Sequence, residues 1–172
     1  VRSIEVHGQT AERAVPGRRT ALSLVGVDRA ELNRGDVAVT GDGWAATRSL
    51  DCAVELLPSA SRPIQSRTRL RVHLGTAEVL ARATQNVAIE PGATDRVRLA
   101  LESPLVARGG DRFVLRSFSP VTTIGGGVVL DSTPPRLRRR EASKLDELPS
   151  PGTATAELLQ RRTASRSMRS AS

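Results

Sequence analysis

Residues 111–135 read DRFVLRSFSPVTTIGGGVVLDSTPP, and the fold class turns on this stretch. Phe113 and Leu115 are apolar, while Arg116 and Ser117 are polar. A period of two describes a strand with one buried and one wet face. Pro120 interrupts the run. Val121, Thr122, Thr123 and Ile124 resume β-type sequence, three glycines follow, and Val128, Val129 and Leu130 complete it. Glycine inside a strand loses backbone entropy and adds no packing. Three in a row predict a bulge, or a place where another backbone or a ligand approaches closely. Asp131-Ser-Thr-Pro-Pro ends the regular structure.

The same grammar extends toward the N-terminus. Val1 to His7, Thr20 to Val27 and Val37 to Val39 read as strands, and so do Cys52 to Leu57 and Arg69 to Leu74. Ala77 to Ala83 reads as the hairpin partner of 69–74, and Val97 to Leu101 as a further strand stopped by Ser103-Pro104. Turn chemistry separates them: Pro16-Gly17, Arg34-Gly35-Asp36, Gly75-Thr76, Pro91-Gly92 and Gly109-Gly110. No convincing helix precedes Pro135. The expectation is an all-β chain of two small antiparallel β-barrel units, the first incomplete, since closure removes the edges that such strands expose. The composition shift at Gly41-Asp-Gly-Trp-Ala-Ala-Thr-Arg marks the joint. The expected division is 1–45, 46–135 and a basic, mostly disordered tail, 136–172.

Charge divides the same way. Of the net +8, residues 1–135 hold 17 Arg against 14 acidic residues, and residues 136–172 hold 9 Lys and Arg against 4. The body is mildly basic and the tail strongly so. A basic excess favours a polyanion such as nucleic acid; an Arg-rich composition without that purpose is the alternative for the body. The tail's low hydrophobicity and high charge do not offset the entropy of ordering it.

Several chemistries lack their residues. No glycine-rich loop ending in Lys-Ser/Thr occurs, so no nucleotide cradle is expected. His7 and His73 have no Cys or His at metal spacing, and no nucleophile–base constellation is indicated, so neither a metal site nor catalytic residues are expected. The single cysteine, Cys52, reads as a small buried hydrophobe in a reducing, cytoplasmic setting. No apolar run is long enough to span a bilayer as a helix. The chain starts directly in strand-like sequence without an initiator Met, which suggests a fragment of a longer protein.

Four motifs in order carry a resemblance: Gly17-Arg-Arg-Thr-Ala-Leu-Ser-Leu, Leu32-Asn-Arg-Gly-Asp-Val, His73-Leu-Gly-Thr-Ala-Glu-Val-Leu-Ala-Arg, and Asp111-Arg-Phe-Val-Leu-Arg with Thr123-Ile-Gly-Gly-Gly-Val-Val. Residues 1–140 resemble the second and third domains of elongation factor Tu-like GTPases, with wording similar to the bacterial selenocysteine-specific elongation factors. The resemblance implies a partial second domain, a complete third domain, and a role in delivering selenocysteinyl-transfer RNA to the ribosome. GTP and Mg would then belong to a domain that precedes this region, with no cofactor in this chain. A monomer is expected. Such factors continue into winged-helix domains that bind an RNA hairpin; residues 136–172 depart from that pattern, and hairpin binding is not carried over. Two other readings stay open: the same region of another translational GTPase, and a β module for protein–protein contact.

The resemblance also nominates residues. Arg19, in Pro16-Gly17-Arg18-Arg19, matches an arginine lining the aminoacyl pocket. Selenocysteine ionises below neutral pH, and a fixed guanidinium favours that selenolate over a neutral serine hydroxyl. An exposed turn arginine is the alternative. On the third domain, strand alternation puts Arg69, Arg71 and His73 on one face, with Arg116 nearby and Thr122 and Thr123 as hydroxyl donors. These are the expected transfer-RNA contacts, a solvated strand face being the alternative. Gly125–Gly127 is expected to serve the barrel rather than RNA.

Overall fold

The protein is described by a computed structural model that covers residues 1–41, 44–85 and 87–135. The expected tail, 136–172, lies outside the described residues. Among the described residues, nine strands and a single turn of 3-10 helix make up the regular structure, so the all-β expectation holds.

The chain divides into two units after Asp36. The first is a three-stranded antiparallel sheet in the order β2-β1-β3, from β1 (Ser3–Val6), β2 (Gln9–Ala11) and β3 (Thr20–Ser23). His7 and Gly8 turn β1 into β2 with φ of 53° and 77°, the left-handed backbone that two-residue hairpins require. The 3-10 turn Arg29–Glu31 carries a capping box: Asp28 accepts from the Ala30 N–H, and Glu31 accepts from the Asp28 N–H. No residue of this unit is buried.

The second unit is a closed six-stranded barrel in the order β4-β7-β6-β5-β8-β9. Its strands are β4 (Ala46–Leu56), β5 (Arg69–Leu74), β6 (Ala77–Thr84), β7 (Thr94–Val106), β8 (Arg112–Ser117) and β9 (Thr123–Asp131). Every pairing is antiparallel, and β9 closes onto β4. Alternation sends Leu50, Cys52, Val54 and Leu56 inward from β4, Leu70 and Val72 from β5, and Val97 and Leu99 from β7. Strand β6 contributes Ala81 and Ala83, small residues that leave room for the leucines opposite. Phe113 is the one aromatic residue in this core. Cys52 is fully buried, and that burial pushes its thiol pKa well up, as expected of a packing residue.

The glycine run is explained by closeness of backbone. Gly125, Gly126 and Gly127 pair with Leu56, Glu55 and Val54 on one side and with Leu115, Val114 and Phe113 on the other. A Cβ at Gly125 would lie 2.3 Å from the Glu55 carbonyl oxygen, and one at Gly127 would lie 2.1 Å from that of Ala53. The register slips beside the run, where Leu115 pairs with Gly125 but Arg116 with Thr123.

Three local expectations are corrected. Val37 to Val39 forms no strand; Val37 and Val39 are exposed, with no neighbour to pair them. Ala46 to Arg48 belongs to β4 rather than to a linker. Strand β7 does not stop at Ser103-Pro104 but runs on to Val106. Its pairing with β6 ends at Leu101, and the β4 register skips from Ser49↔Ala100 to Thr47↔Leu105. Pro104 therefore sits where no ladder N–H is needed.

Ahead of β4, Trp44 packs on the barrel. The Arg108 guanidinium lies 3.3 Å from its ring centroid, and its indole N–H donates to the Thr40 carbonyl at 3.3 Å.

Candidate nucleic-acid interface

The outer face of the β6-β5-β8 sector gathers most of the nominated residues. Two-residue reversal at Gly75-Thr76 sets the register Arg69↔Arg82, Arg71↔Leu80 and His73↔Glu78 between β5 and β6. On the other side of β5, Arg71 faces Arg116 and His73 faces Val114. Leu70 and Val72 point inward, so Arg69, Arg71 and His73 share the outer face, and Arg116 joins them.

The arginines are held by local partners. Arg69 makes a forked pair with Glu102, Nε to Oε1 at 2.9 Å and Nη2 to Oε2 at 2.6 Å. Arg82 approaches the same carboxylate at 4.0 Å. Arg71 Nη1 donates to Glu78 Oε1 at 2.5 Å. Arg116 Nη2 donates to the Val121 carbonyl at 3.3 Å. The ring of Phe118 lies under Arg69, 4.4 Å from guanidinium carbon to centroid, and 5.5 Å from that of Arg71. Stacking on an aromatic face fixes the guanidinium plane while leaving its edge free for hydrogen bonds. The hydrogen bonds from Arg69 and Arg71 hold the Glu102 and Glu78 carboxyls below the usual glutamate range.

The hydroxyl candidates divide. Thr122 is engaged locally: its N–H donates to Ser117 Oγ at 3.1 Å, and its hydroxyl shares a 2.9 Å hydrogen bond with the same atom. Thr123 is exposed and pairs with Arg116 in the β8–β9 ladder. Beside the basic face, a cleft of about 510 Å³ opens between residues 61–70 and 117–124. Arg62, Arg69, Gln65, Thr68, Phe118 and Thr122 are among its walls. Gly125–Gly127 is occupied by neighbouring strands, as above.

Arg19 belongs to the first unit. It stands exposed immediately before β3, beyond the turn made by Gly17 at φ 81°. Arg18, its neighbour, lines a hollow of about 380 Å³ with His7, Thr10 and Arg13. Both arginines follow the Pro16-Gly17 turn and precede Thr20, so neither is on the strand.

Sequence reasoning missed Glu78, Arg82, Glu102 and Phe118. The first two were countable, because a two-residue turn at 75–76 fixes which residues face each other. Glu102 reaches Arg69 across β6 from 33 positions away, and no local pattern signals that. Among the described residues, no three His, Cys, Asp or Glu side chains converge as they would around a metal ion.

Comparison with known proteins agrees with this architecture. Residues 51–136 match the family described as selenocysteine-specific elongation factor, beta-barrel domain. The selenocysteine-specific elongation factor of Desulfomicrobium baculatum is 35% identical over 161 residues, covering 92% of this chain and 25% of that protein. That of Escherichia coli is 28% identical over 159 residues, covering 91% and 24%. The crystal structure of translation elongation factor SelB from Methanococcus maripaludis in its apo form shares the fold, with a TM-score of 0.66 at 19% identity, over 77% of this chain and 33% of that one. The chain spans about a quarter of the length of the curated relatives it matches. With residues 51–136 under that family's model and 92% of its own length aligned to the Desulfomicrobium baculatum protein, the chain belongs to the selenocysteine-specific elongation factor family.

Proposed function

We propose that this chain is the transfer-RNA-holding part of a selenocysteine-specific elongation factor. Residues 46–135 act as its third domain, and residues 1–45 as part of its second. The outer face of β5, β6 and β8 receives the RNA backbone. One observation carries the reading: Arg69, Arg71, His73 and Arg116 lie side by side on one face of the barrel that the family model covers. Arginines fixed by carboxylates and an aromatic ring present their N–H edges in set directions, which suits phosphate oxygens.

In this reading the intact factor carries selenocysteinyl-transfer RNA to the ribosome. GTP and Mg bind in a domain outside this chain, and the chain itself performs no catalysis. Arg19 belongs to the aminoacyl pocket and meets the selenolate. The absence of a phosphate loop from the sequence supports assigning the nucleotide elsewhere.

The test is a titration of the chain with transfer RNA at several salt concentrations. Neutralising phosphates with arginine releases counter-ions, so affinity is expected to fall steeply as salt rises. Arg69→Gln and Arg71→Gln are each expected to lower the salt slope by about one. Binding that ignores salt, or no binding at all, would remove the reading.

A further inference from the structure

Three side-chain nitrogens on the outer face are shielded from water yet have no hydrogen-bond partner: Arg71 Nε, His73 Nε2 and Arg116 Nε. Among the described residues the one other such atom is an acceptor, Gln85 Oε1. Buried polar groups almost always find partners. Two of these exceptions, the Nε–H groups of Arg71 and Arg116 on adjacent strands, are donors and describe a place that lacks an acceptor. Arg71 and Arg116 are direct cross-strand neighbours, and His73 stands two positions along β5 on the same side. Leu80 faces Arg71 and Val114 faces His73. Apolar neighbours lower the local dielectric and strengthen any charged contact made there.

One carboxylate reaches this place. Glu78 stands opposite His73 and accepts a single hydrogen bond from Arg71 Nη1. Its carboxyl is held below the usual range by that bond first, with His73, Arg71 and Arg116 adding positive field. It engages one arginine and leaves both Nε donors open. Its own side chain is 46% exposed, so it is free to swing away.

We propose that Arg71, Arg116 and His73 form a subsite for one phosphate group of a nucleic-acid backbone, and that Glu78 is its internal counter-ion, displaced when the phosphate arrives. The inference rests on the reading that this face receives RNA. It adds which residues share one phosphate, and that Glu78 offsets part of the positive charge of the vacant subsite. A displaceable carboxylate makes the site selective. A loosely placed polyanion competes with Glu78 on poor terms, whereas a partner anchored elsewhere on the face brings its phosphate at high effective concentration.

The experiment uses the full 172-residue chain, with Glu78→Gln, Arg116→Gln and the double variant. Each is titrated with transfer RNA across salt, and separately with inorganic phosphate while the arginine Nε–Hε signals are followed by NMR. Glu78→Gln is expected to tighten RNA binding about tenfold and Arg116→Gln to weaken it about tenfold. The gain from Glu78→Gln should shrink in the double variant. Phosphate should shift the Arg71 and Arg116 Nε signals, at lower concentration once Glu78 is neutral. Salt-dependent RNA binding that neither variant alters would overturn the subsite and leave the RNA face standing. Phosphate shifts without any RNA binding would uphold the anion subsite and remove the RNA reading. Phosphate that moves neither signal in any variant overturns the proposal outright.

Discussion

Asp51 and Arg98 stand opposite each other on β4 and β7, 3% and 8% exposed. Arg98 Nε donates to Asp51 Oδ1 at 2.5 Å, and Nη2 donates to Oδ2 at 2.7 Å. The remaining arm, Nη1, donates to the Pro135 carbonyl at 2.8 Å. One arginine thus joins two barrel strands to the segment that follows β9. Removing one partner leaves the other charge buried and uncompensated. Arg98→Met alone is expected to cost about 3–5 kcal/mol, read as a lower urea midpoint. Asp51→Leu with Arg98→Met is expected to recover most of it, since a well-packed apolar pair often equals a buried ion pair. A single variant as stable as the parent would show that the pair is not buried in solution.

Gly127 leaves the least room for a side chain in the run Gly125–Gly127. An added Cβ would meet the Ala53 carbonyl oxygen at 2.1 Å and the tip of Phe113 at 2.8 Å. Backbone on one side and a core aromatic on the other leave little room to yield. Gly127→Ala is expected to destabilise by about 3 kcal/mol or more. Gly75→Ala tests the contrast. At φ 58° with nothing within 4 Å, it meets only backbone strain and is expected to cost about 1 kcal/mol. Equal losses in chemical denaturation would contradict the packing account.

Acid should act on two kinds of carboxyl with opposite sign. The arginine hydrogen bonds to Glu78 and Glu102 favour their charged forms, so their folded pKa values are lowered. Their contribution to stability is full above the unfolded glutamate pKa and is lost as pH falls through the lowered values. For Asp51, burial outweighs the pull of Arg98 and raises the pKa. Its contribution is full below the unfolded aspartate pKa and declines as pH rises through the raised value. A carbon-13 carboxyl titration is expected to place Glu78 and Glu102 below ordinary glutamate, and Asp51 above ordinary aspartate. Glu78 and Glu102 midpoints at or above that of ordinary glutamate would refute the first assignment, and an Asp51 midpoint at or below that of ordinary aspartate the second.

The hairpin at 69–84 was legible because alternation names the faces and the two-residue turn names the partners. Arg69, Arg71 and His73 could be placed on one side from sequence alone. Asp51 could not be read the same way. Alternation with Leu50 and Cys52 sends it outward, where an aspartate is expected to be wet, yet it is buried and paired with Arg98, which also reaches the Pro135 carbonyl. The neighbours β4 and β7, and the closure of β9 onto β4, join segments far apart in sequence, and local patterning carries no signal for either. Pro104 misled for a related reason. Proline ends a strand where both sides need ladder hydrogen bonds, but at that point β7 has already left β6 and its register on β4 is broken. The glycine run was read with two causes, and both occur: neighbouring backbone fills the space, and a register slip lies beside it.

Substitution of Arg19 distinguishes the proposed aminoacyl pocket from a general phosphate contact. It is exposed between the Pro16-Gly17 turn and β3, where its guanidinium has reach but no fixed partner among the hydrogen bonds described. In the complete factor, Arg19→Ala is expected to weaken selenocysteinyl-transfer RNA more than seryl-transfer RNA. The selenolate offers an ionic acceptor and serine only a neutral hydroxyl, a difference of roughly 1.5–3 kcal/mol for a charge-assisted hydrogen bond, or about ten- to a hundredfold in affinity. Arg19→Lys should restore part of this, because an ammonium keeps the charge and loses the planar fork. Arg18 is the internal control. It lines the hollow with His7, Thr10 and Arg13, so Arg18→Ala is expected to alter both RNAs equally or neither. Paired equilibrium titrations at fixed salt decide the matter. Equal losses for the two RNAs on Arg19→Ala would reduce Arg19 to a backbone contact, and the discrimination between selenium and oxygen would have to come from residues outside this chain.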